Sequence, residues 1–137
     1  MTFLDSNIFV YFIDPRDPGK KSIAESLVET ALTDPRYVIS DQVLNEFANV
    51  AMKKLALTED EARDYIVDFQ NITRTRESQG KTLRALEIKK RYGTQFYDSL
   101  LLATAEANGC DEFWTEDLND GQLYCGIKAV NPFKGKE

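Results

Sequence analysis

Short apolar runs alternate with longer amphipathic segments along the chain, and this alternation predicts strands that alternate with helices. Four apolar runs, each bounded by polar or turn-forming residues, predict strands at 2–6, 37–40, 112–115 and 127–130. A brief strand is also expected at 71–73. Strands that alternate with helices predict an α/β fold, in which helices on both sides flank a short central parallel sheet.

Apolar residues at helical spacing predict that helices connect these strands. The predicted helices cover residues 21–32, 41–55, 58–69, 83–91 and 98–108. Thr58 and Glu61 have the spacing of a capping box, and Gly109 suits the position that ends a helix. A helix is also expected to begin directly after the first strand. Two prolines and a glycine predict a loop at 14–19.

Length and composition predict one globular domain that covers residues 1–137. Hydrophobic residues make up 42% and charged residues 29%, which is ordinary for such a domain. No apolar run is long enough to span a bilayer, so neither a membrane segment nor a signal peptide is expected. Cys110 and Cys125 show no metal or redox spacing, and a reduced cytoplasm suits them.

The chain contains no histidine, and this absence narrows the possible chemistry. An imidazole general base, the usual serine and cysteine triads and most zinc sites are excluded. Any hydrolysis must therefore use carboxylates, water activated by a metal ion, or both.

Charge is unevenly distributed along the chain. The net charge is −6, yet residues 74–91 carry a local net charge of +5, so the remainder carries −11. A basic segment on an acidic body can hold phosphates locally, although the same run also fits an ordinary solvated helix face. The candidates for contact with phosphates are Arg74, Arg76, Lys81 and Arg84.

Four carboxylates are the candidate functional residues: Asp5, Glu46, Asp98 and Asp117. Asp5 interrupts a strongly apolar run, and Asp98 precedes three leucines, with no lysine or arginine beside either aspartate. Desolvating an unpaired charge is costly, and several converging carboxylates repel each other unless a cation holds them. The set therefore points to a divalent-metal enzyme.

Three of the four carboxylates also have an ordinary interpretation, as does the nearby Asp120, which is a candidate accessory carboxylate. Glu46 fits an exposed helical glutamate, and Asp98 fits a helix N-cap. Asp117 and Asp120 fit turn-forming positions. Against this, Asp5 and Asp117 fall at or just past the carboxyl ends of predicted strands, where ligands bind in parallel α/β sheets.

The motifs around these carboxylates resemble a known family. They are Phe3-Leu4-Asp5-Ser6-Asn7-Ile8, Gln42-Val43-Leu44-Asn45-Glu46-Phe47, Tyr97-Asp98-Ser99-Leu100-Leu101-Leu102-Ala103-Thr104-Ala105 and Trp114-Thr115-Glu116-Asp117-Leu118. In order and spacing they resemble the PIN-domain ribonucleases, and most closely the VapC-type toxins of prokaryotic toxin–antitoxin pairs. The resemblance runs from Thr2 to about Phe133 and implies a PIN-like fold.

The resemblance also implies roles for the site residues. The four carboxylates would hold Mg²⁺ or Mn²⁺, with Asp5, Asp98 and Asp117 as the main ligand candidates. Ser6, Asn7 and Thr115 would orient the carboxylates or metal-bound water. Asp120 would be accessory only. Glu46 could bind the metal directly, bind it through water, or act as the base that positions the nucleophile.

A metal-dependent endoribonuclease that leaves a 5′-phosphate is the function that this resemblance implies. The implied partners are an RNA substrate, a cognate antitoxin and a second copy of the chain. One alternative is a PIN-like module that binds RNA or protein without cutting. Another is a phosphatase with Asp5 as nucleophile, but that class usually has a second aspartate where this chain has Asn7.

Overall fold

The computed structural model describes residues 1–135, and its elements alternate as the sequence predicts. The strands are β1 (Thr2–Leu4), β2 (Tyr37–Ile39), β3 (Thr73–Arg74), β4 (Glu112–Trp114), β5 (Leu123–Tyr124) and β6 (Ile127–Val130). The helices are α1 (Ser6–Ile13), α2 (Pro18–Thr33), α3 (Asp41–Lys54), α4 (Glu59–Phe69), α5 (Lys81–Tyr92) and α6 (Phe96–Ala107). This α/β architecture confirms the predicted fold class.

The sheet has the order β3-β2-β1-β4-β6-β5, and its strands are parallel except for β5. From β1 the chain moves outward to β2 and β3, and it then crosses to β4 on the other side of β1. The direction of winding therefore reverses between β1 and β4. Beyond the carboxyl ends of such a strand pair lies the crevice where open α/β sheets bind ligands.

The helices form two groups that cover opposite faces of the sheet. Helix α1 packs on α2 and α3, and α3 packs on α4, whereas α5 packs on α6. Right-handed crossovers that run in opposite directions along the sheet place these groups on opposite faces. In the described part of the chain, no helix combines the length and the apolarity that crossing a membrane requires.

Aromatic side chains dominate the core on which the site rests. The rings of Phe3 and Phe113, on the adjacent strands β1 and β4, stack with centroids 5.1 Å apart. Phe9 of α1 meets Phe69 of α4 edge to face at 4.8 Å. All four side chains are almost fully buried, so the strand ends that carry the site stand on a packed base.

Several boundaries differ from the predicted ones. Helix α2 begins at Pro18 and not at Lys21, because the side chain of Asp17 accepts a hydrogen bond from the Lys20 amide (3.1 Å) and proline suits the first helical position. The predicted loop at 14–19 is therefore shorter. Strand β3 lies two residues later than expected, at Thr73–Arg74.

The strand β5 was not predicted from the sequence. It pairs antiparallel with β6 through a two-residue turn at Cys125 and Gly126, whose φ angles are 54° and 79°. Both angles are positive, as in the type I′ turns that suit the twist of a hairpin. Gly126 is the residue that signals this turn, but a cysteine before it is uncommon there.

Candidate metal centre

Asp5 stands at the junction between β1 and α1 and is only 2% exposed. Its backbone is extended (φ −79°, ψ 163°), and its carboxylate caps α1 by accepting the Ser6 amide at 2.6 Å. The Thr115 hydroxyl donates a second hydrogen bond, 2.7 Å long, to the other carboxylate oxygen. The end of the first strand therefore holds a carboxylate in a fixed orientation.

Thr115 and Asn7 join this carboxylate to Asp117. The Asn7 amide group donates to Oγ1 of Thr115 at 3.0 Å and to Oδ2 of Asp117 at 3.1 Å. The backbone N–H of Asp117 donates to the same Thr115 oxygen at 3.0 Å. Two of the three polar residues that the resemblance assigned to an orienting role thus contact the carboxylates directly, and the hydroxyl of the third, Ser6, lies 3.4 Å from Oδ1 of Asp5.

Asp98 approaches the same place from α6. The N-cap of α6 is Gln95, so Asp98 lies inside the first turn and the N-cap interpretation is wrong. The helix dipole favours a carboxylate in the first turn without fixing the direction of its side chain. One oxygen from each of Asp5, Asp98 and Asp117 lies within 4.8 Å of the others.

Glu46 borders this aspartate trio from α3 and is not a member of it. Its side chain is half-buried, and the Gln42 amide donates to its Oε2 at 3.3 Å. The same amide donates to the carbonyl of Tyr97 at 3.1 Å, so Gln42 connects α3 to the start of α6. Glu46 is therefore held at the edge of the trio by a residue that sequence reasoning did not single out.

All four carboxylates have raised pKa values, which reflects their shared surroundings. Burial, with smaller contributions from Asp117 and Asp98, raises the pKa of Asp5 to about 7 despite the opposing hydrogen bond from Thr115. Loss of solvent and the charges of Asp117 and Glu46 raise the pKa of Asp98 to about 6. The pKa values of Asp117 and Glu46 are also raised, mainly by desolvation.

The donor set fits a hard divalent cation. Within residues 1–135, none of the four carboxylates forms an ion pair with a lysine or arginine. Oδ1 of Asn7 is also buried without a hydrogen-bond partner. Carboxylate oxygens in such an arrangement repel each other, and they are the ligands that Mg²⁺ and Mn²⁺ prefer.

A half-buried lysine supports the segment that carries Asp117. Nζ of Lys20 lies 3.0 Å from Oε2 of Glu116, the residue between Thr115 and Asp117, and 3.2 Å from the Tyr11 hydroxyl. The Tyr11 hydroxyl donates to the other oxygen of Glu116. Lys20 and Glu116 were not predicted as functional residues, because they are 96 positions apart and only the fold brings them together.

Asp120 does not join the carboxylate cluster. Its Oδ1 accepts the Asn131 amide at 2.8 Å, and its Oδ2 lies 3.5 Å from Nζ of Lys134. The backbone hydrogen bond from Asn131 is the main reason that the pKa of Asp120 is lowered. These contacts give Asp120 a structural role in holding the loop to the end of β6.

The four predicted phosphate contacts lie away from the carboxylates. Arg74 pairs with Asp41 at 2.7 Å, and Lys81 pairs with Glu77 at 2.6 Å. Arg84 makes a two-pronged pair with Glu106 at 2.8 and 2.9 Å. Together with Arg76, these side chains are absent from the described lining of both clefts that adjoin the carboxylates.

Two clefts border the carboxylates. We call the first the tyrosine cleft, and its walls include Tyr92, Gln95, Tyr97, Leu118, Asn119 and Tyr124. We call the second the α1–α3 cleft, and its walls include Asn7, Val10, Arg16, Val50 and Lys54. Asp117 borders both clefts. Arg16 and Lys54 are therefore nearer to the carboxylates than the basic segment that the sequence highlighted.

A family model described as the PIN domain matches residues 2–119, which is most of the chain. A search of curated proteins gives no match.

Solved structures with a similar fold cover nearly the whole chain. A toxin–antitoxin complex from Klebsiella pneumoniae aligns with a TM-score of 0.71 at 20% identity, over 96% of this chain and 98% of that one. VapC20 of Mycobacterium tuberculosis, a toxin that cleaves the sarcin–ricin loop, aligns with a TM-score of 0.63 at 15% identity, over 93% and 99%. VapBC2 of Rickettsia felis, bound to a DNA fragment from its promoter, aligns with a TM-score of 0.65 at 18% identity, over 95% and 97%.

Proposed function

This chain belongs to the PIN-domain family, and from that premise we propose that it is a divalent-metal-dependent endoribonuclease and the toxin of a toxin–antitoxin pair. The observation that carries the proposal is the aspartate trio at the carboxyl ends of β1 and β4, within 4.8 Å and without a cationic partner in the described chain. A trio of this kind suits a metal-assisted hydrolase better than a structural role, because unpaired carboxylates destabilise the fold.

Asp5, Asp98 and Asp117 are the residues that would hold Mg²⁺ or Mn²⁺. When bound, the cation would stabilise charge on the phosphate oxygens and lower the pKa of an attacking water. Thr115 and Asn7 keep Asp5 and Asp117 in one orientation through the hydrogen bonds between them. Because these side chains are already oriented, the site does not need to reorganise during the reaction.

Glu46 is the proposed proton acceptor. It stands beside the aspartate trio, and partial burial raises its pKa, so its carboxylate is a better base than an exposed glutamate. In the proposed reaction, water attacks the phosphorus and its proton passes to the Glu46 carboxylate. The ribose 3′-oxygen leaves and takes a proton from solvent, so the products carry a 5′-phosphate and a 3′-hydroxyl.

Arg16 and Lys54 are proposed to hold the phosphates that flank the cleavage position. Both line the α1–α3 cleft, where Asp117 is also exposed. Phosphate contacts from lysine and arginine fix the position of a nucleic-acid strand. Arg16 already pairs with Asp14 at 2.7 Å, so Lys54 is the main candidate. Contacts from Arg74, Arg76, Lys81 and Arg84 stay a weaker proposal, since these side chains are absent from the described lining of both clefts.

The toxin role is proposed from the solved structures of similar fold, two of which are toxin–antitoxin assemblies. A cognate antitoxin, a homodimer and a cytoplasmic location stay predictions.

Both alternative functions are less well supported. A non-cutting module has no need for four carboxylates, and all four are present beside one another. A phosphatase with Asp5 as nucleophile lacks the second aspartate, and the Asn7 in its place is bound to Thr115 and Asp117.

The chemistry of the products tests this proposal. Purified protein is incubated with total cellular RNA in Mg²⁺, in Mn²⁺ or in excess EDTA, and the new RNA ends are ligated and sequenced. We expect new ends with a 5′-phosphate in either metal and none in EDTA. New ends with a 5′-hydroxyl and a 2′,3′-cyclic phosphate, or cleavage that persists in EDTA, would contradict it.

A further inference from the structure

The tyrosine cleft adjoins the carboxylates and shares only Asp117 with the described lining of the α1–α3 cleft. Its volume is about 580 Å³, and Glu46, Asp98 and Asp117 belong to its lining. This volume lies in the range of ligand sites, roughly 300–1,000 Å³. A phosphate at the carboxylates would therefore place the neighbouring nucleoside at the mouth of this cleft.

The aromatic ring of Tyr97 is not part of the hydrophobic core. The residue is 64% exposed although it directly precedes Asp98. Its ring meets Phe96 edge to face at 5.5 Å, and its carbonyl accepts the Gln42 amide at 3.1 Å. The ring is thus anchored at the cleft and open to solvent, as a stacking surface for a ligand requires.

Two further tyrosines of the cleft lining pack against each other and are held in place. The rings of Tyr92 and Tyr124 lie 5.1 Å apart, and the Tyr92 hydroxyl accepts the Cys125 amide at 2.9 Å. The hairpin of β5 and β6 therefore supports one wall of the cleft. The side-chain amides of Gln95 and Asn119 belong to the lining and carry both donors and acceptors.

The described lining of the cleft offers a phosphate no lysine or arginine. Its three carboxylates are those of the proposed metal centre, so a phosphate away from the metal would meet no cation of the lining. An uncharged aromatic base does not need one. Unpaired bases of RNA bind proteins by stacking on aromatic side chains and by hydrogen bonds from polar ones.

From the exposed ring of Tyr97, the paired tyrosine rings, the amides and a described lining without lysine or arginine, we propose that the tyrosine cleft binds an unpaired nucleobase next to the scissile phosphate. Tyr97 is the stacking surface. The inference rests on the proposed ribonuclease function and adds how the enzyme recognises its substrate: through bases in a single-stranded segment more than through phosphates, which suits a chain with a net charge of −6.

Binding of RNA with and without bases tests the inference. The probes are a fluorescein-labelled single-stranded decamer pool of random sequence and a decamer in which every position is an abasic ribose phosphate. Both carry the same number of phosphates. Binding to the full chain is measured by fluorescence anisotropy in Ca²⁺ in place of Mg²⁺, and gels confirm that the probes stay intact.

We expect the base-containing pool to bind about 10-fold more tightly than the abasic decamer, since stacking on an aromatic side chain adds to the affinity for each base that it contacts. Tyr97→Ala should remove most of that difference and leave the abasic affinity unchanged, whereas Tyr97→Phe should retain it. Leu86→Ala is the control, because Leu86 is an exposed apolar residue outside the cleft lining. An unlabelled duplex RNA should compete poorly with the single-stranded pool.

Three results would overturn the inference: equal affinity for the two decamers, an equal loss for both in Tyr97→Ala, or equal competition by duplex RNA. Unchanged RNA binding in Tyr97→Ala would likewise reject it and assign the cleft to another ligand, such as a peptide segment. Failure of the proposed function has a different signature. In that case the base-dependent binding and its loss in Tyr97→Ala would persist, while Mg²⁺ and Mn²⁺ would produce no cleavage.

Discussion

The hydroxyl of Thr115 donates a 2.7 Å hydrogen bond to the carboxylate of Asp5, across 110 positions of sequence. The bond joins the ends of β1 and β4, where Leu4 pairs with Trp114 in register. Because the same hydroxyl oxygen also accepts from Asn7 and from the Asp117 backbone, it is the point at which the two strand ends are aligned. The candidate metal centre depends on this contact between neighbouring parallel strands.

Thr115→Val should weaken metal binding more than it weakens the fold. Valine keeps the shape of the side chain but removes the hydroxyl that orients Asp5 and accepts from Asn7. Loss of a hydrogen bond to a ligand carboxylate typically lowers metal affinity about 10–100-fold. Isothermal calorimetry with Mn²⁺ measures this loss, and Thr115→Ser should recover most of the affinity. Equal Mn²⁺ affinities for wild type and Thr115→Val would show that the Thr115 hydroxyl does not orient the metal ligands.

Metal-free protein should lose stability as the pH rises, and Asp5 should be a main cause. The folded-state pKa of Asp5 is about 7, above its ordinary value of 3.8, so the folded state binds more protons than the unfolded state between these values. The free energy of unfolding therefore falls as pH rises through this window. Asp5→Asn removes the buried charge.

Urea unfolding in EDTA at pH 5 and pH 8 measures this effect. Asp5→Asn should be more stable than wild type at pH 8, with a smaller difference at pH 5. Added Mg²⁺ should stabilise wild type and not the variant. A wild type that is as stable as Asp5→Asn at pH 8 without metal would show that the carboxylates are not strained in the way proposed.

Lys20 should position Asp117 through Glu116. Lys20→Met would leave the Glu116 carboxylate without its cation. The loss matters because both side chains are largely buried, with Lys20 13% and Glu116 23% exposed. We expect lower Mn²⁺ affinity in addition to lower stability, because Glu116 lies between Thr115 and Asp117. Arg36→Met is the matched control, since it breaks the exposed pair with Asp34, which is remote from the site.

Calorimetry with Mn²⁺ separates positioning from packing in these variants. Arg36→Met should bind Mn²⁺ as wild type does. A Lys20→Met protein with a lower melting temperature and an unchanged Mn²⁺ affinity would restrict Lys20 to a structural role.

Lys54→Ala should weaken RNA binding in a salt-dependent manner. If Lys54 holds one phosphate in the α1–α3 cleft, its loss should reduce the slope of log K against log salt by about one. Lys53→Ala is the control, because Lys53 is the neighbouring exposed lysine and is outside the cleft lining. Anisotropy titrations between low and moderate salt measure the slope. Identical slopes for the two variants would argue against the proposed phosphate contact.

The sequence predicted the alternation of strands and helices well where local patterns decide structure. Asp5 and Asp117 follow short apolar strands, and that pattern was enough to predict their place at the carboxyl ends of parallel strands. The predicted boundaries of helices and strands were less accurate where the residue at the boundary suits more than one element or lacks the usual turn signal. Pro18 ends a loop and also begins α2, and the hairpin turn at Cys125 lacks the usual residue before Gly126.

Unlike Asn7 and Thr115, the other supporting residues of the site could not be predicted, because tertiary contacts alone define them. Lys20 meets Glu116 only when α2 crosses the sheet and brings it to the end of β4. Tyr97 adjoins Asp98 in sequence, but its exposure depends on where α6 begins, which was predicted two residues too late. The basic segment 74–91 shows the converse, since three of its seven basic side chains form ion pairs with carboxylates of the chain and are absent from the described lining of both clefts beside the candidate metal centre.

The most direct measurement of the central claim is RNA cleavage by wild type and Asp5→Asn side by side. Both proteins are purified, shown to be folded by circular dichroism, and incubated with the same total RNA in Mg²⁺. The account predicts cleavage by wild type that EDTA abolishes, and at least a 100-fold slower reaction for Asp5→Asn, about 2.7 kcal/mol in the barrier. Cleavage by a folded Asp5→Asn at the wild-type rate would contradict it.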